Sequence, residues 1–226
     1  AFFSLIQKEH VFSDINRIAE LMQRTVDEMF CSMNTINALV VGCGLGLSLV
    51  AQQYLEKFLF ACCCPTVIDA DALNLIAQKR FIISFSPKRH ILTPHPAEAA
   101  RLLGISTQMV QQDRVAAIKQ LAEKYHATIV LKGPHTLVYS PLENDIYINP
   151  SGNCALATAG SGDVLSGLIG GLLAQGFPIL EAAKAGVFLH GLAADYWWQE
   201  HGGPIGLIAS ELANIIRLLR NHIAYL

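Results

Sequence analysis

Charge is scarce in this chain. Of its 226 residues 15% are Asp, Glu, Lys or Arg, against about 25% in an ordinary globular protein. The 16 Lys+Arg against 18 Asp+Glu leave a formal charge of −2 with no basic cluster. A sequence-independent grip on nucleic acid needs many phosphate-neutralising cations, so that function is excluded, and docking to a strongly anionic membrane surface goes with it. Disorder is excluded by the opposite surplus, a hydrophobic share of 52%. Long apolar runs are missing too. The longest in the glycine-rich C-terminal part, residues 164–174, is interrupted by Ser166 and three glycines, whereas a bilayer span takes roughly 20 residues. It reads as a buried helix. No leader peptide is visible, because Gln7, Lys8 and Glu9 break the early apolar stretch. The first residue is Ala1 rather than Met, as in a processed or trimmed chain. The double CxxC of zinc sites is absent among the six cysteines, Cys31, Cys43, Cys62, Cys63, Cys64 and Cys154. Bridging neighbours in the Cys62 to Cys64 run would be strained. The expectation is free structural thiols in a reducing cytoplasm.

What is present is an alternation of short β-like runs and longer helical ones, without repeats or linkers. NALVVG (37–42) is a buried strand ending in glycine, followed by helical spacing over 47–61. TVIDA (66–70) is a second strand before a helix at 72–78, and 90–93 a third before a helix at 96–103. An amphipathic stretch, 108–125, leads to the strand ATIVLK (127–132), and 137–140 with 145–149 form a hairpin around Pro141 to Asn144. From Ser161 the chain is helical nearly to its end, broken near Gly176 to Pro178 and Gly202 to Pro204. Residues 1–36 read as a helical lead-in without a strand. The alternation predicts an α/β fold, a mainly parallel central sheet with helices on both faces. Ligands of such sheets bind beyond the carboxyl ends of the strands.

Four strand ends carry polar chemistry. Gly42-Cys43-Gly44-Leu45-Gly46 lets a phosphate or ribose approach the backbone and a helix start. A packing turn explains it equally well, and Leu47 stands where the dinucleotide fingerprint wants glycine. Asp69-Ala70-Asp71-Ala72-Leu73-Asn74 offers two carboxylates and an amide for a sugar hydroxyl or hydrated Mg²⁺, or a helix cap in Asp71. Thr93-Pro94-His95-Pro96-Ala97-Glu98 reads as a helix start with proline in first position, although histidine is an uncommon cap and a plausible ligand contact. Lys132-Gly133-Pro134-His135-Thr136 suits phosphate.

The densest signal lies further on. Six of the 17 glycines fall between Gly160 and Gly176. Gly160-Ser161-Gly162-Asp163 opens an apolar helix whose first N–H groups form an anion hole. Asp163 in the first turn is kept ionised by the helix dipole and can accept a proton from a hydroxyl attacking a phosphoryl group. The Walker sequence GxxxxGK[ST] is absent, so a nucleotide is not held as in P-loop proteins.

NALVVGCGLG, TVIDADALN, LTPHPAEAARLLG, IVLKGPHT and NPSGNCALATAGSGDVLSGLIGGLLAQG, then GVFLHGLAAD and GLIASEL, resemble in this order the NAD(P)H-hydrate dehydratase family. The resemblance runs from about residue 37 to 220. It implies a ribokinase-like three-layer sandwich over residues 37–226, and dehydration of hydrated NADH or NADPH at the expense of ADP or ATP with Mg²⁺. A fused or separate epimerase is a further implied partner. By motif position Asp163 is the base, and Gly160, Ser161 and Gly162 the anion hole. Lys132, Gly133, Pro134, His135 and Thr136 contact the nucleotide, together with Gly162. Gly44, Gly46, Asp71, Asn74, His95, Glu98 and Asn153 contact the hydrated dinucleotide. The metal ligands are left unassigned. Family members usually have Pro at Cys43, and often Pro and Gly at Cys154 and Ala159. They also begin with an additional strand and glycine-rich turn, which residues 1–36 are not expected to supply. Two other readings stay open: a ribokinase-like kinase of a small alcohol, and a nucleotide-binding protein without turnover. The apolar surplus over residues 161–200 implies faces buried between copies in a homo-oligomer.

Overall fold

A computed structural model describes residues 2–3, 22–78 and 84–224. In chain order the elements are β1 (Phe2–Phe3), β2 (Met22–Gln23), α1 (Val26–Cys31), β3 (Leu39–Val41), α2 (Leu49–Ala61), β4 (Thr66–Ile68), α3 (Ala70–Ala77), β5 (His90–Leu92), α4 (Pro96–Leu103), α5 (Thr107–Gln112), α6 (Arg114–Tyr125), β6 (Thr128–Leu131), β7 (Leu137–Tyr139), β8 (Tyr147–Ile148), α7 (Ser161–Ala174), α8 (Ile179–His201) and α9 (Ala209–Ala224). Six strands form one sheet in the order β3-β4-β5-β6-β7-β8. Pairing is parallel from β3 to β6 and antiparallel for β6, β7 and β8.

Alternation along the strands sorts side chains into two cores. Leu39, Val41, Ile68, Leu92, Ile129 and Leu131 face a cluster shared with α2 through α6. Val67, Ile91, Val130 and Val138, in the intervening registers, face α7 and α8. This is the period of two expected of a pleated strand, and β4, β5 and β6 are buried along their whole length, as parallel strands covered on both faces must be. A third cluster joins α8 to α9 through Leu189, Trp197, Leu212 and Ile216. Among the described residues no helix is long and apolar enough to cross a membrane.

Two expectations change. The amphipathic stretch 108–125 is two helices, because Asp113 ends α5 and turns its carboxylate back to accept the Ala116 N–H at 2.8 Å, starting α6. Of the lead-in, residues 4–21 lie outside the described residues. The rest holds one short helix, α1, started by a Thr25–Glu28 capping box, and two short strands that pair in parallel, so it is not helical throughout.

Glycine is indispensable at one turn. Gly42 has φ +123°, and a Cβ there would lie 1.8 Å from the Asp69 carbonyl oxygen and 2.8 Å from Ala72 Cβ. Gly44, at φ +64°, has open space around it. Gly42→Ala should therefore cost about 2–6 kcal/mol from contact and backbone strain together, and Gly44→Ala about 1–3 kcal/mol from strain alone. Urea unfolding of the two variants measures the difference; equal losses would show that the close approach to Asp69 contributes nothing.

Candidate active site

The carboxyl ends of β3, β4, β5 and β6 converge on a buried ion pair. Asp69, directly after β4 and 1% exposed, caps α3 by accepting the Ala70 N–H at 2.8 Å. Its Oδ1 also takes Lys132 Nζ at 2.7 Å, and its Oδ2 the Ser166 hydroxyl of α7 at 2.6 Å. Thr93, after β5, completes the network 3.4 Å from Ser166 Oγ. The Lys132 ammonium is further drawn to Glu98 Oε2 at 3.9 Å. A Cβ on Gly162 would lie 3.3 Å from it, so this cation stands at the first turn of α7.

His95 and Glu98 start α4 reciprocally. His95 Nδ1 accepts the N–H groups of Ala97 and Glu98, and Glu98 Oε2 accepts the His95 N–H at 2.8 Å, with Pro96 in first position. The expected capping box is therefore formed with histidine as the cap. Burial pushes the Glu98 carboxyl up to about 6, against the pull of Lys132. Burial holds His95 below the ordinary imidazole value, helped by Lys132 and Arg101. On the glycine turn, Asp71 Oδ2 accepts the Gly46 N–H at 2.8 Å, which ties the start of α2 to that of α3.

α7 begins without any side-chain cap; the Ser161 N–H is on the Thr158 carbonyl at 3.3 Å, and the Gly162 and Asp163 amides are left for a ligand. Gly160 enters it at φ +82°. Below, buried His190 of α8 sends Nε2 to the Ser161 carbonyl at 3.0 Å and to Ser161 Oγ at 3.2 Å. The carbonyl can only accept, so Nε2 carries the proton, and the Ser161 hydroxyl proton is free to donate to an anion. Asp163 is exposed. Its carboxylate lies within 4.8 Å of the Cys43 thiol, which desolvation, then Asp163, push well above the ordinary thiol range. Ligand atoms of Cys43, Asp69 and Asp163 all lie within 4.8 Å of one another. A thiol is a poor partner for Mg²⁺, and Asp69 is committed to Lys132, so these side chains do not make an all-protein Mg²⁺ cage. The unpaired amides above Lys132 and Ser161 do suit phosphate oxygens.

Contacts thus link Asp163, Gly162, Lys132, Glu98 and His95 through Asp69 and Cys43. Other expected residues have different commitments. Asn153 donates to Asp195 Oδ1 at 2.9 Å and accepts the Ala155 N–H at 2.9 Å, so its amide shapes the loop before α7. Asn74 Oδ1 accepts from Arg101 at 3.0 Å, in an open depression of about 480 Å³ also lined by Leu47, Ala77 and Gln78. Gly133, Pro134 and His135 form an exposed turn, with His135 at φ +49° and Thr136 Oγ1 donating to the Gly133 carbonyl at 3.0 Å. Arg114 donates to the carbonyls of Pro134, Leu131 and Lys132. Gly44 and Gly46, at φ +64° and +78°, leave open space beside the turn. Asp69, read from sequence as one of two carboxylates for a sugar hydroxyl or Mg²⁺, is instead taken up by Lys132 and Ser166. Cys43, Ser166, His190 and Asp195 were given no role from sequence and show themselves through tertiary contacts.

Sheet, strand-end site and uncapped α7 define a ribokinase-like fold. A ribokinase-like superfamily protein of Enterococcus faecalis superposes with a TM-score of 0.78 at 29% identity, over 91% of this chain and 71% of that one. The family model for NAD(P)H-hydrate dehydratase matches residues 6–218, and the chain belongs to that family. It is 49% identical to the ADP-dependent (S)-NAD(P)H-hydrate dehydratase of Neisseria meningitidis, over 94% of this chain and 72% of the relative. The ADP/ATP-dependent NAD(P)H-hydrate dehydratase of Bacillus subtilis, co-crystallized with ATP/Mg²⁺, superposes with a TM-score of 0.76 at 31% identity, covering 91% and 73% of the two chains. Against the bifunctional NAD(P)H-hydrate repair enzyme of Coxiella burnetii the identity is 46% over 86% of this chain, which spans 38% of that protein's length.

Burial holds both His190 and His90 down to about 4. With folded values depressed below the ordinary 6.5, their contribution to stability is complete above about pH 6.5 and is lost as pH falls towards 4. Glu98, raised from 4.5 to about 6, acts oppositely, its contribution being lost as pH rises through that interval. The two histidines outweigh the one carboxyl. Stability should fall on acidification from pH 6.5 to 4, by on the order of 3 kcal/mol for His190 alone. His190→Gln, which keeps a donor at the Nε2 position, should flatten that fall in denaturant midpoints. An unchanged slope would place the acid sensitivity elsewhere.

Proposed function

We propose that this chain dehydrates hydrated NADH or NADPH back to the reduced dinucleotide, using ADP or ATP as phosphoryl donor. One observation carries the reading: an uncapped helix N-terminus with a cation beneath it and an exposed aspartate in its first turn, close to the Cys43 thiol of the glycine turn. Family membership narrows the substrate to the hydrated nicotinamide ring.

The ring hydroxyl attacks the terminal phosphorus and loses its proton to Asp163. The nucleotide departs one phosphoryl group shorter. Charge on the transferred oxygens is stabilised by donors already in place, the amides of Gly162 and Asp163, the Ser161 hydroxyl and the Lys132 ammonium. The C–O bond then breaks, the ring nitrogen supplies the electrons that release inorganic phosphate, and loss of a proton from the neighbouring carbon restores the double bond. Mg²⁺, when bound, would neutralise phosphate charge, held by the nucleotide's own oxygens and water with Asp163 as the nearby protein carboxylate.

The exposed turn from Gly133 to Thr136 reaches the nucleotide. Gly44, Gly46, Asp71, His95 and Glu98 flank the dinucleotide, His95 through its Nε2, 3.3 Å from Glu98 Oε1, while Asn74 and Asn153 hold the walls. ADP is the donor favoured by the Neisseria relative's dependence.

Asp163→Asn should lower turnover by about 100- to 10,000-fold and leave nucleotide binding near normal, measured by the return of reduced-nicotinamide absorbance from hydrated NADH with Mg²⁺ and either nucleotide. Undiminished turnover removes Asp163 as the base. No recovery by a wild-type chain that binds nucleotide favours the binder without turnover.

A further inference from the structure

The run Cys62-Cys63-Cys64-Pro65 connects α2 to β4, at the end of the strand opposite Asp69, and the catalytic reading uses none of it. Cys62 closes α2, with its N–H on the Phe58 carbonyl at 2.9 Å and an extended backbone (φ −79°, ψ 121°). Pro65 biases Cys64 towards the extended region as well. In extended chain, residues i and i+2 project to the same side and the one between to the other. Accordingly Cys62 is 2% exposed, Cys64 is half-buried and Cys63 faces solvent. The Sγ atoms of Cys62 and Cys64 lie 3.0 Å apart. A disulfide is about 2.05 Å long, so closure needs an approach of about one ångström. The segment is anchored at both flanks: Leu39 N–H donates to the Pro65 carbonyl at 2.9 Å, and the Thr66 hydroxyl donates to the Cys64 carbonyl at 3.1 Å.

We propose that Cys62 and Cys64 are a redox-active dithiol which hydroperoxides convert into an intramolecular disulfide. The two thiols are electrostatically unlike. Cys62 is pulled below the ordinary thiol range chiefly by the hydrogen bond from Cys64, with the Arg89 charge assisting, while the same bond pushes Cys64 up. The first proton to leave the pair therefore leaves a thiolate on Cys62, the nucleophilic form.

That thiolate attacks the terminal oxygen of the hydroperoxide. An S–O bond forms, the O–O bond breaks, and the departing alkoxide or hydroxide takes a proton from solvent. Cys62 is then a sulfenic acid, with its resolving thiol already in contact. Cys64 sulfur attacks Cys62 sulfur, the S–S bond forms, the S–O bond breaks, and the hydroxide leaves as water with the Cys64 proton. Two electrons pass from the thiol pair to the peroxide, and two hydrogens leave the protein. Cys43, by contrast, is held protonated by burial and Asp163, so it is a slow competitor.

The native chain is treated with one equivalent of hydrogen peroxide at neutral pH, alkylated and digested. The peptide carrying residues 62–64 should have lost two hydrogens and should take up one alkyl group instead of three, with dithiothreitol restoring three. Cys63→Ser should show the same two-hydrogen loss and take up no alkyl group, whereas Cys62→Ser and Cys64→Ser should lack the loss. Because substitution of buried Cys62 is liable to disturb folding, a bifunctional trivalent arsenical provides a second reading on wild type and Cys63→Ser: one bound per chain at this peptide, none after peroxide. Three alkyl groups after peroxide that oxidises the exposed cysteines would overturn the proposal. So would a bridge that disappears in Cys63→Ser, or a native chain that binds no arsenical there.

Discussion

A lysine ammonium 2.7 Å from a buried aspartate is the contact on which the rest of this structure turns. Asp69 ends β4, Lys132 follows β6, and Ser166 on the opposite layer holds the second carboxylate oxygen. One side chain therefore ties two strand ends to the helix that opens the anion site. Removing either charge would strand the other without its counter-ion, a loss of about 3–5 kcal/mol. The pair also fixes a cation where phosphoryl charge would develop, without a flexible side chain having to reach for it. Glu98, 5% exposed, completes the surround from α4.

Around that contact the polar groups divide into those that are committed and those left open. Asp71, Asn74, Asn153, His95 Nδ1 and Glu98 spend hydrogen-bonding capacity on the protein itself, capping helices or pinning loops. The Gly162 and Asp163 amides, the Ser161 hydroxyl proton and the Asp163 carboxylate do not. The second set is what chemistry at a phosphoryl group requires, and the first keeps it in place. Neutral His190 under Ser161 belongs to the supporting set: a charged ring there would compete with Lys132 for the same anion.

Much of this was legible in the sequence, for physical reasons. Pro96–Leu103 announces itself through proline in first position and glutamate three residues after the cap. Gly176 to Pro178 and Gly202 to Pro204 stop helices in any context, and α7, α8 and α9 end or begin around them. Gly160-Ser161-Gly162-Asp163 before an apolar run announced a helix start without a capping side chain, and α7 begins there without one. Asp113 was harder to read, since its capping carboxylate sits inside an unbroken amphipathic pattern. Cys43 looked like a packing residue in a glycine turn; its proximity to Asp163 joins residues far apart in the chain and leaves no local trace. The commitment of Asn153 to Asp195 was equally invisible, for the partner lies 42 residues away.

The separation along the chain of the three members of the central network has a consequence for biosynthesis. Lys132 is 63 residues beyond Asp69, and Ser166 is 97 beyond it. At ribosomal rates of about 5–20 residues per second, roughly 5–20 s elapse between emergence of the carboxylate and of its last partner. During that interval β3, β4 and β5 are available, but one face of their sheet has no α7 or α8 to cover it, and a carboxylate at its edge awaits its cation. Lys132 and strands β6 to β8 emerge first, so the central charge is neutralised and the sheet completed before its second face is covered. The N-terminus of α7 can settle over Lys132 only after both.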